Sequence, residues 1–457
     1  MWRGWLAPMI VIENAAVATV DPVGTEYREG HVVVDGERIA AVGAGPAPAD
    51  LTGERVDARG CLVTPGLVNT HHHLYQWASR GRAVGATLFE WLVELYPVWG
   101  RLDAEITRAA ATAGLARLAL TGCTTVADHH YVFPRDGGDP MAALVEAVRE
   151  IGVRAHLVRG SMDRGSSDGG LPPDHLVEDT DVALARTEEA IDAWHDPAPG
   201  ARVRVAVGPC SPFSVTERLM TGAAELARRR GVRLHTHLAE TLDEQDRCRA
   251  EFGLDPVPYA DTLGWLGDDV WLAHTVHVSS KEIGRLGETG TGSAHCPTSN
   301  GRLGTGIAPV RELLDAGTPV GLGVDGAASN ESGGLGGELH QALLQARQRG
   351  GPRALAVREA LRMATMGGAR CLGRQDELGS LEQGKLADLV VWRTDGLAHA
   401  GIDDPVAALV LGALPQVGLL LVGGRDVVTD GTLRTADETA IATELRAASA
   451  RLEGARP

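Results

Sequence analysis

Eight short apolar segments recur along the middle of this chain, and most are followed by a stretch with helical spacing. They read as strands at Gly66–Asn69, Thr124–Asp128, Arg154–Val158, Val203–Val207, Arg233–Thr236, Val270–Ala273, Gly292–Ala294 and Pro319–Gly323. Strand–helix alternation is the signature of parallel α/β architecture, because a parallel crossover needs a covering element. Two of the helices carry their own punctuation. Glu217–Arg230 is preceded by Thr216 as N-cap and stopped by Gly231, and Ala104–Leu120 is ended by Gly122. Eight such units in about 310 residues fit a closed (β/α)8 TIM-type barrel, with a doubly wound sheet as the competing architecture.

The two ends of the chain follow a different grammar. Ile10–Ile12, Gly30–Val34 and Ile39–Val42 are β-rich, with Asp35-Gly36 as a hairpin signal. Leu386–Trp392, Gly418–Val422 and Asp426–Val428 repeat the pattern after the barrel, punctuated by Gly423-Gly424 and Asp430-Gly431. This predicts one small β-sandwich domain assembled from both termini. The expected division is 1–64 for its N-terminal part, 65–374 for the catalytic barrel, and 375–457 for its C-terminal part plus a terminal helix. Residues 1–8 read as a short extension, with Met9 as an alternative start.

Composition narrows the partners. The 457 residues are 44% apolar, and 43 Lys+Arg against 60 Asp+Glu give a net charge of −17. That balance disfavours nucleic acid and anionic membranes and leaves a small molecule and water as the expected partners, with a homo-oligomer left open. Six cysteines without a C-x-x-C pair read as reduced thiols in a cytoplasmic protein. No run of about 18 apolar residues is present to span a bilayer.

In a barrel of this kind, polar residues at the C-terminal ends of the strands converge on one mouth. Strand one runs into His71 and His73, which share a face because side chains two apart in a strand point the same way. Strand five ends in His237 and Glu240, strand six in His274 and His277, and strand eight in Asp325. Three histidines and an aspartate from strands one, five and eight make an N3O metal site with water completing it. By alternation His72 turns away. His235 shares the parity of His237 but lies deeper, as core packing or as a support for the site. His277 reads as structural or supporting. His129 and His130 stand at another strand end, and His295 is the better pocket candidate.

The motifs PGLVNTHHH, HTHLAE, AHTVH, AHCPTSN and GVDGAASN resemble the metal-dependent amidohydrolase superfamily, in its cytosine/guanine/adenosine deaminase-like branch, over almost the whole chain. The resemblance implies that His71, His73, His237 and Asp325 bind one divalent metal, zinc or iron. It implies that Glu240 shuttles protons and that His274 positions the attacking water. No lysine ends strand four, in Gly208-Pro209-Cys210-Ser211, so a mononuclear site is expected. It also implies a substrate class. Gln76 matches a glutamine that reads the purine edge in guanine deaminases. Trp99 stands where nucleoside-handling relatives carry a carboxylate, which favours a free base. Cys210 replaces a region where guanine deaminases carry an arginine, leaving room for a further oxo group. HHHLYQ, LYPVW, ADHHYVF and GPCSPFS look most similar to the 8-oxoguanine deaminase group.

The implied reaction is hydrolytic deamination of a free 2-amino-oxopurine, 8-oxoguanine to urate plus ammonia, with isocytosine also accepted. The substrate-binding set is Gln76, Trp99, Cys210 and His295, and the catalytic set is Glu240, His274 and Asp325. A hydroxyatrazine-type triazine aminohydrolase and a guanine, isoxanthopterin or cytosine deaminase remain as alternatives. A non-catalytic scaffold would be expected to show broken ligands, and here they are intact.

Overall fold

The computed structural model describes residues 9–454, so the extension expected at 1–8 lies outside the described residues. Eight parallel strands close into a barrel. We number them β1 (Leu67–Asn69), β2 (Cys123–His130), β3 (Arg154–Ser161), β4 (Val203–Pro209), β5 (Leu234–Leu238), β6 (Val270–His274), β7 (Gly292–His295) and β8 (Val320–Leu322), and each pairs with its neighbours in sequence, β8 with β1. Every expected strand is present, within a few residues at its ends. Their inward positions form a core of Val68, Ala127, Val158, Ala206, Trp271 and Ala294, plugged from below by Cys371 and Leu372. Closure leaves no barrel edge strand, and the covering helices bury the outward face.

Local signals explain the crossovers. Thr216 Oγ1 accepts the amide of Leu219 at the start of Glu217–Arg230, and Gly231 ends that helix at φ 63°. Asp103 caps Ala104–Leu120 by accepting from Ile106. Thr87 and Glu90 form a reciprocal capping box at the head of Leu88–Trp99, the helix that overhangs the barrel mouth.

Both termini contribute to one nine-stranded sheet beside the barrel. Its central seam pairs Cys61–Pro65 with Leu389–Arg393, antiparallel, so the chain enters and leaves the barrel at one place. Ile10, Ile12, Val32 and Val34 from the first half share a core with Leu389, Val391, Leu419 and Leu421 from the second, the inward face of the expected sandwich. The opposite face meets the barrel: a Cβ on Gly122 would stand 2.2 Å from the Trp392 ring, which accounts for glycine there. The terminal helix Glu438–Leu452 packs on the barrel rather than on this sheet, with Arg451 paired to Asp103 and Glu105 of the Ala104–Leu120 region.

One buried ion pair ties the sheet to the barrel floor. Arg154 of β3 donates Nε–H and Nη2–H to the two carboxylate oxygens of Asp388 at 2.8 and 3.0 Å, and Asp388 also accepts the amide of Gly423. Both side chains are almost wholly buried, 1% and 2% exposed. Removing one partner strands the other charge in the core. Asp388→Ala is therefore expected to destabilise by about 3–5 kcal/mol, read as a lower urea midpoint. An unchanged midpoint would contradict a structural role for the pair.

Candidate active site

The barrel mouth gathers side chains that are far apart in sequence. His73 Nε2 lies 3.0 Å from His237 Nε2, and Asp325 Oδ1 lies 3.4 Å from His71 Nε2 and 3.3 Å from His73 Nε2. The remaining hydrogen bonds decide where each imidazole carries its proton. His73 Nδ1 donates to the His129 carbonyl at 2.6 Å, and His237 Nδ1 donates to the Cys210 carbonyl at 2.7 Å. A carbonyl can only accept, so in the neutral imidazole form each Nε2 is the nitrogen that carries the lone pair. Two lone pairs facing each other at 3.0 Å repel unless a cation lies between them.

His71 reaches the same state by a longer route. His235 Nδ1 donates to the Trp271 carbonyl at 2.8 Å, which leaves His235 Nε2 to accept from His71 Nδ1 at 2.8 Å. His71 Nε2 is thereby freed, and it is a buried atom without a hydrogen-bond partner. His71, His237, His274 and Asp325 bring one donor atom each within 4.8 Å of one another, and His73 Nε2 adjoins them through His237 and Asp325, a donor set that matches a divalent ion with an open position. The residues present fit such a metal.

Asp325 is held on both oxygens. Its Oδ1 accepts the amide of Gly326 at 2.7 Å, and its Oδ2 accepts the Ser299 hydroxyl at 2.6 Å. His274 Nδ1 donates to Asn300 Oδ1 at 2.9 Å, and its Nε2 lies 3.6 Å from Glu240 and 3.9 Å from Asp325. Glu240 is buried, and its Oε1 has no partner. Burial, with the Asp325 charge adding to it, holds the Glu240 carboxyl well above its ordinary range. The amides of Ala239 and Glu240 both donate to Glu244, which braces this turn.

The backbone is strained where the chemistry sits. Ala239, His274, Thr275 and Asp325 all have positive φ, at 56°, 74°, 45° and 61°. Each such non-glycine residue costs on the order of 1–3 kcal/mol and persists only where its surroundings enforce it. Here the Glu244 brace, the Asn300 bond and the Ser299 bond supply that enforcement.

A cavity opens above His73, His237 and Asp325. Leu88, Trp91, Leu92 and Tyr96 of the overhanging helix, with Tyr131, Phe213 and Leu303, form its apolar wall. Gln76 and Cys210 line it as expected. Gln76 Oε1 accepts the Ala328 amide at 3.3 Å, while its buried Nε2 has no partner. A Cβ on Gly326 would lie 1.8 Å from Gln76 Oε1, so only glycine lets this amide sit beside Asp325. Burial pushes the Cys210 thiol up to about 12, leaving it neutral.

Two expected pocket residues lie elsewhere. Trp99 is fully buried behind the wall, with its indole N–H on Ser79 Oγ at 3.0 Å and its ring against Tyr75, Trp91 and Tyr96. Its place is at the far end of the helix, past the cavity. His295 follows Ala294, whose side chain faces the barrel interior, so alternation turns its ring away; both its ring nitrogens lack partners. His72 accepts the His73 amide beside Trp77, away from the ligands. His277 donates to the Thr305 carbonyl, and His130 to the Val132 carbonyl. Tyr131, Ser299, Asn300 and Glu244 escaped the sequence reading, although each stands within a few residues of a strand end.

The proton relay through His235 generates a prediction. His235→Phe keeps the ring but removes the acceptor that orients His71. Metal affinity is expected to fall by about 10–100-fold, measured by chelator competition on the purified protein. Unchanged affinity would mean that His71 is oriented by packing alone.

Among known sequences, a model of the amidohydrolase family matches residues 62–422. The chain is 49% identical to an 8-oxoguanine deaminase from Pseudomonas aeruginosa over 99% of both proteins. It is 38% identical to an isoxanthopterin deaminase from an unknown prokaryotic organism over 96% of both. Among solved structures, a zinc-complexed atrazine chlorohydrolase from Arthrobacter aurescens TC1 superposes with a TM-score of 0.91 at 36% identity, covering 96% of this chain and all of that one. With the family model matched over most of its length and these relatives matched almost end to end, the chain belongs to the amidohydrolase family.

Proposed function

We propose that this protein is a zinc-dependent cytoplasmic aminohydrolase that converts free 8-oxoguanine and water to urate and ammonia, and that it also accepts isocytosine. His71, His73, His237 and Asp325 would hold the ion, which when bound would supply the chemistry of lowering the pKa of a water from about 15.7 towards ~7. The observation that carries the reading is the pairing, within one cavity, of two unpartnered groups: the Glu240 Oε1 and the Gln76 Nε2.

Each side chain has a task in the exchange of amine for oxygen. Glu240 places its proton on the ring nitrogen beside the attacked carbon, then carries a proton from the incoming water to the departing amine. His274, fixed through Nδ1 by Asn300, presents Nε2 between Glu240 and Asp325, where it orients the incoming oxygen. Gln76 has its Nε2 hydrogens unpartnered, so it can donate to an acceptor on the ring, such as a carbonyl oxygen or a bare nitrogen. The neutral thiol of Cys210 leaves space where a charged side chain would exclude a second oxo group. Trp91, Tyr96, Tyr131 and Phe213 suit a flat aromatic ring and close it off from water. The likeness to the Pseudomonas aeruginosa 8-oxoguanine deaminase supports the same substrate. Six buried free thiols support a reducing compartment, and among the described residues no helix is long and apolar enough to cross a membrane.

The test is ammonia release from 8-oxoguanine, guanine, isocytosine, cytosine, isoxanthopterin and hydroxyatrazine, with metal analysis of the same sample. Turnover is expected to be fastest on 8-oxoguanine. Release from hydroxyatrazine or isoxanthopterin but not from 8-oxoguanine would reassign the substrate. Glu240→Gln is expected to lower kcat by about 10²–10⁴-fold while metal content stays at the wild-type value. Wild-type kcat in that variant would remove Glu240 from the proton transfers.

A further inference from the structure

The barrel has a second polar centre, at the end opposite the active site. Arg204 of β4 stands directly beside His156 of β3 in the parallel register, and both share the parity of the inward-facing Val158 and Ala206. The His156 ring lies against Trp271, 5.4 Å between centroids, and Leu372 closes the core below. Arg374, from the segment that plugs the barrel, reaches the same region: Arg204 Nη2 and Arg374 Nη2 donate to the two oxygens of Glu377 at 2.7 and 2.8 Å. Arg374 and His156 are 1% and 2% exposed.

Charge and hydrogen bonding are both left incomplete here. Two guanidinium groups share one carboxylate, which leaves a net positive charge in the trio. The neighbouring Arg154 is already neutralised by Asp388, and Arg233 donates Nε–H and Nη2–H to the carbonyls of Cys371 and Asp268. Five buried nitrogens have no partner: Nδ1 and Nε2 of His156, Nε of Arg204, and Nε and Nη1 of Arg374. Burial, with the charges of Arg233, Arg204 and Arg374 adding to it, holds the His156 imidazole far below its usual range, so it is neutral and carries one N–H. The unpartnered donors therefore outnumber what a single water accepts, and a water leaves the charge in place.

We propose that this cluster of side chains at the floor of the barrel is a structural site for one small monovalent anion of the halide class, bound by Arg204, Arg374 and His156. Enclosure by Trp271 and Leu372 favours a weakly hydrated single-atom ion over a strongly hydrated oxyanion. The anion neutralises the surplus guanidinium and accepts the orphaned N–H groups, so it stabilises the junction of β3, β4 and the plug without touching substrate.

The experiment uses the metal-loaded protein exchanged into sodium gluconate. Chloride or bromide is then titrated at fixed ionic strength and thermal unfolding is followed. A saturable rise in Tm of about 1–3 °C is expected for either halide. The rise should vanish in His156→Phe and in Arg374→Met. Crystals grown in bromide should show an anomalous peak within hydrogen-bond reach of Arg374 and His156. Equal Tm in gluconate and halide would overturn the proposal, as would a halide response that survives in the variants, or a bromide crystal with no anomalous peak there. If neither variant folds, the bromide peak decides alone.

Discussion

Everything in the mouth of this barrel depends on where three imidazoles carry their protons. Each Nδ1–H is committed to an acceptor: the His129 carbonyl for His73, the Cys210 carbonyl for His237, and His235 for His71. The lone pairs that remain are driven together beside Asp325, an arrangement that is repulsive until a cation resolves it. The acceptors sit on β2, β4 and β5 or immediately after them, so barrel closure itself sets the ligand geometry. The left-handed residues at Ala239, His274 and Asp325 show the same dependence, because their strain is tolerated only within a fully braced rim.

Most of the frame was legible in the sequence. The eight strands follow from short apolar runs bounded by turn signals, and the gathering of His71, His73, His237 and Asp325 follows from polar residues recurring at the strand ends. Period-2 spacing placed His71 and His73 together and turned His72 aside. The relay through His235 was only half visible: parity put it deeper in the barrel than His237, but nothing in the sequence states that its Nε2 meets His71 across 164 residues.

The misplaced residues have physical reasons. Trp99 belongs to the buried stripe of Leu88–Trp99, but that stripe is longer than the cavity, so Leu88, Trp91, Leu92 and Tyr96 form the wall and Trp99 anchors the helix to Ser79 and Tyr75. His295 was placed by its position at a strand end without counting parity from Ala294. Tyr131, Ser299, Asn300 and Glu244 were invisible for another reason. They act through hydrogen bonds or walls whose partners lie on other loops, and neither periodicity nor spacing reports such contacts.

The most direct test of the account is the metal environment itself. X-ray absorption at the metal edge, on protein loaded with one equivalent of zinc, should report a nitrogen/oxygen shell at about 2.0–2.2 Å with imidazole outer-shell scattering. Asp325→Ala and His71→Ala should each deplete that shell. A sulfur scatterer at about 2.3 Å, or a spectrum indifferent to both substitutions, would place the ion elsewhere and contradict the convergence on which the chemistry rests.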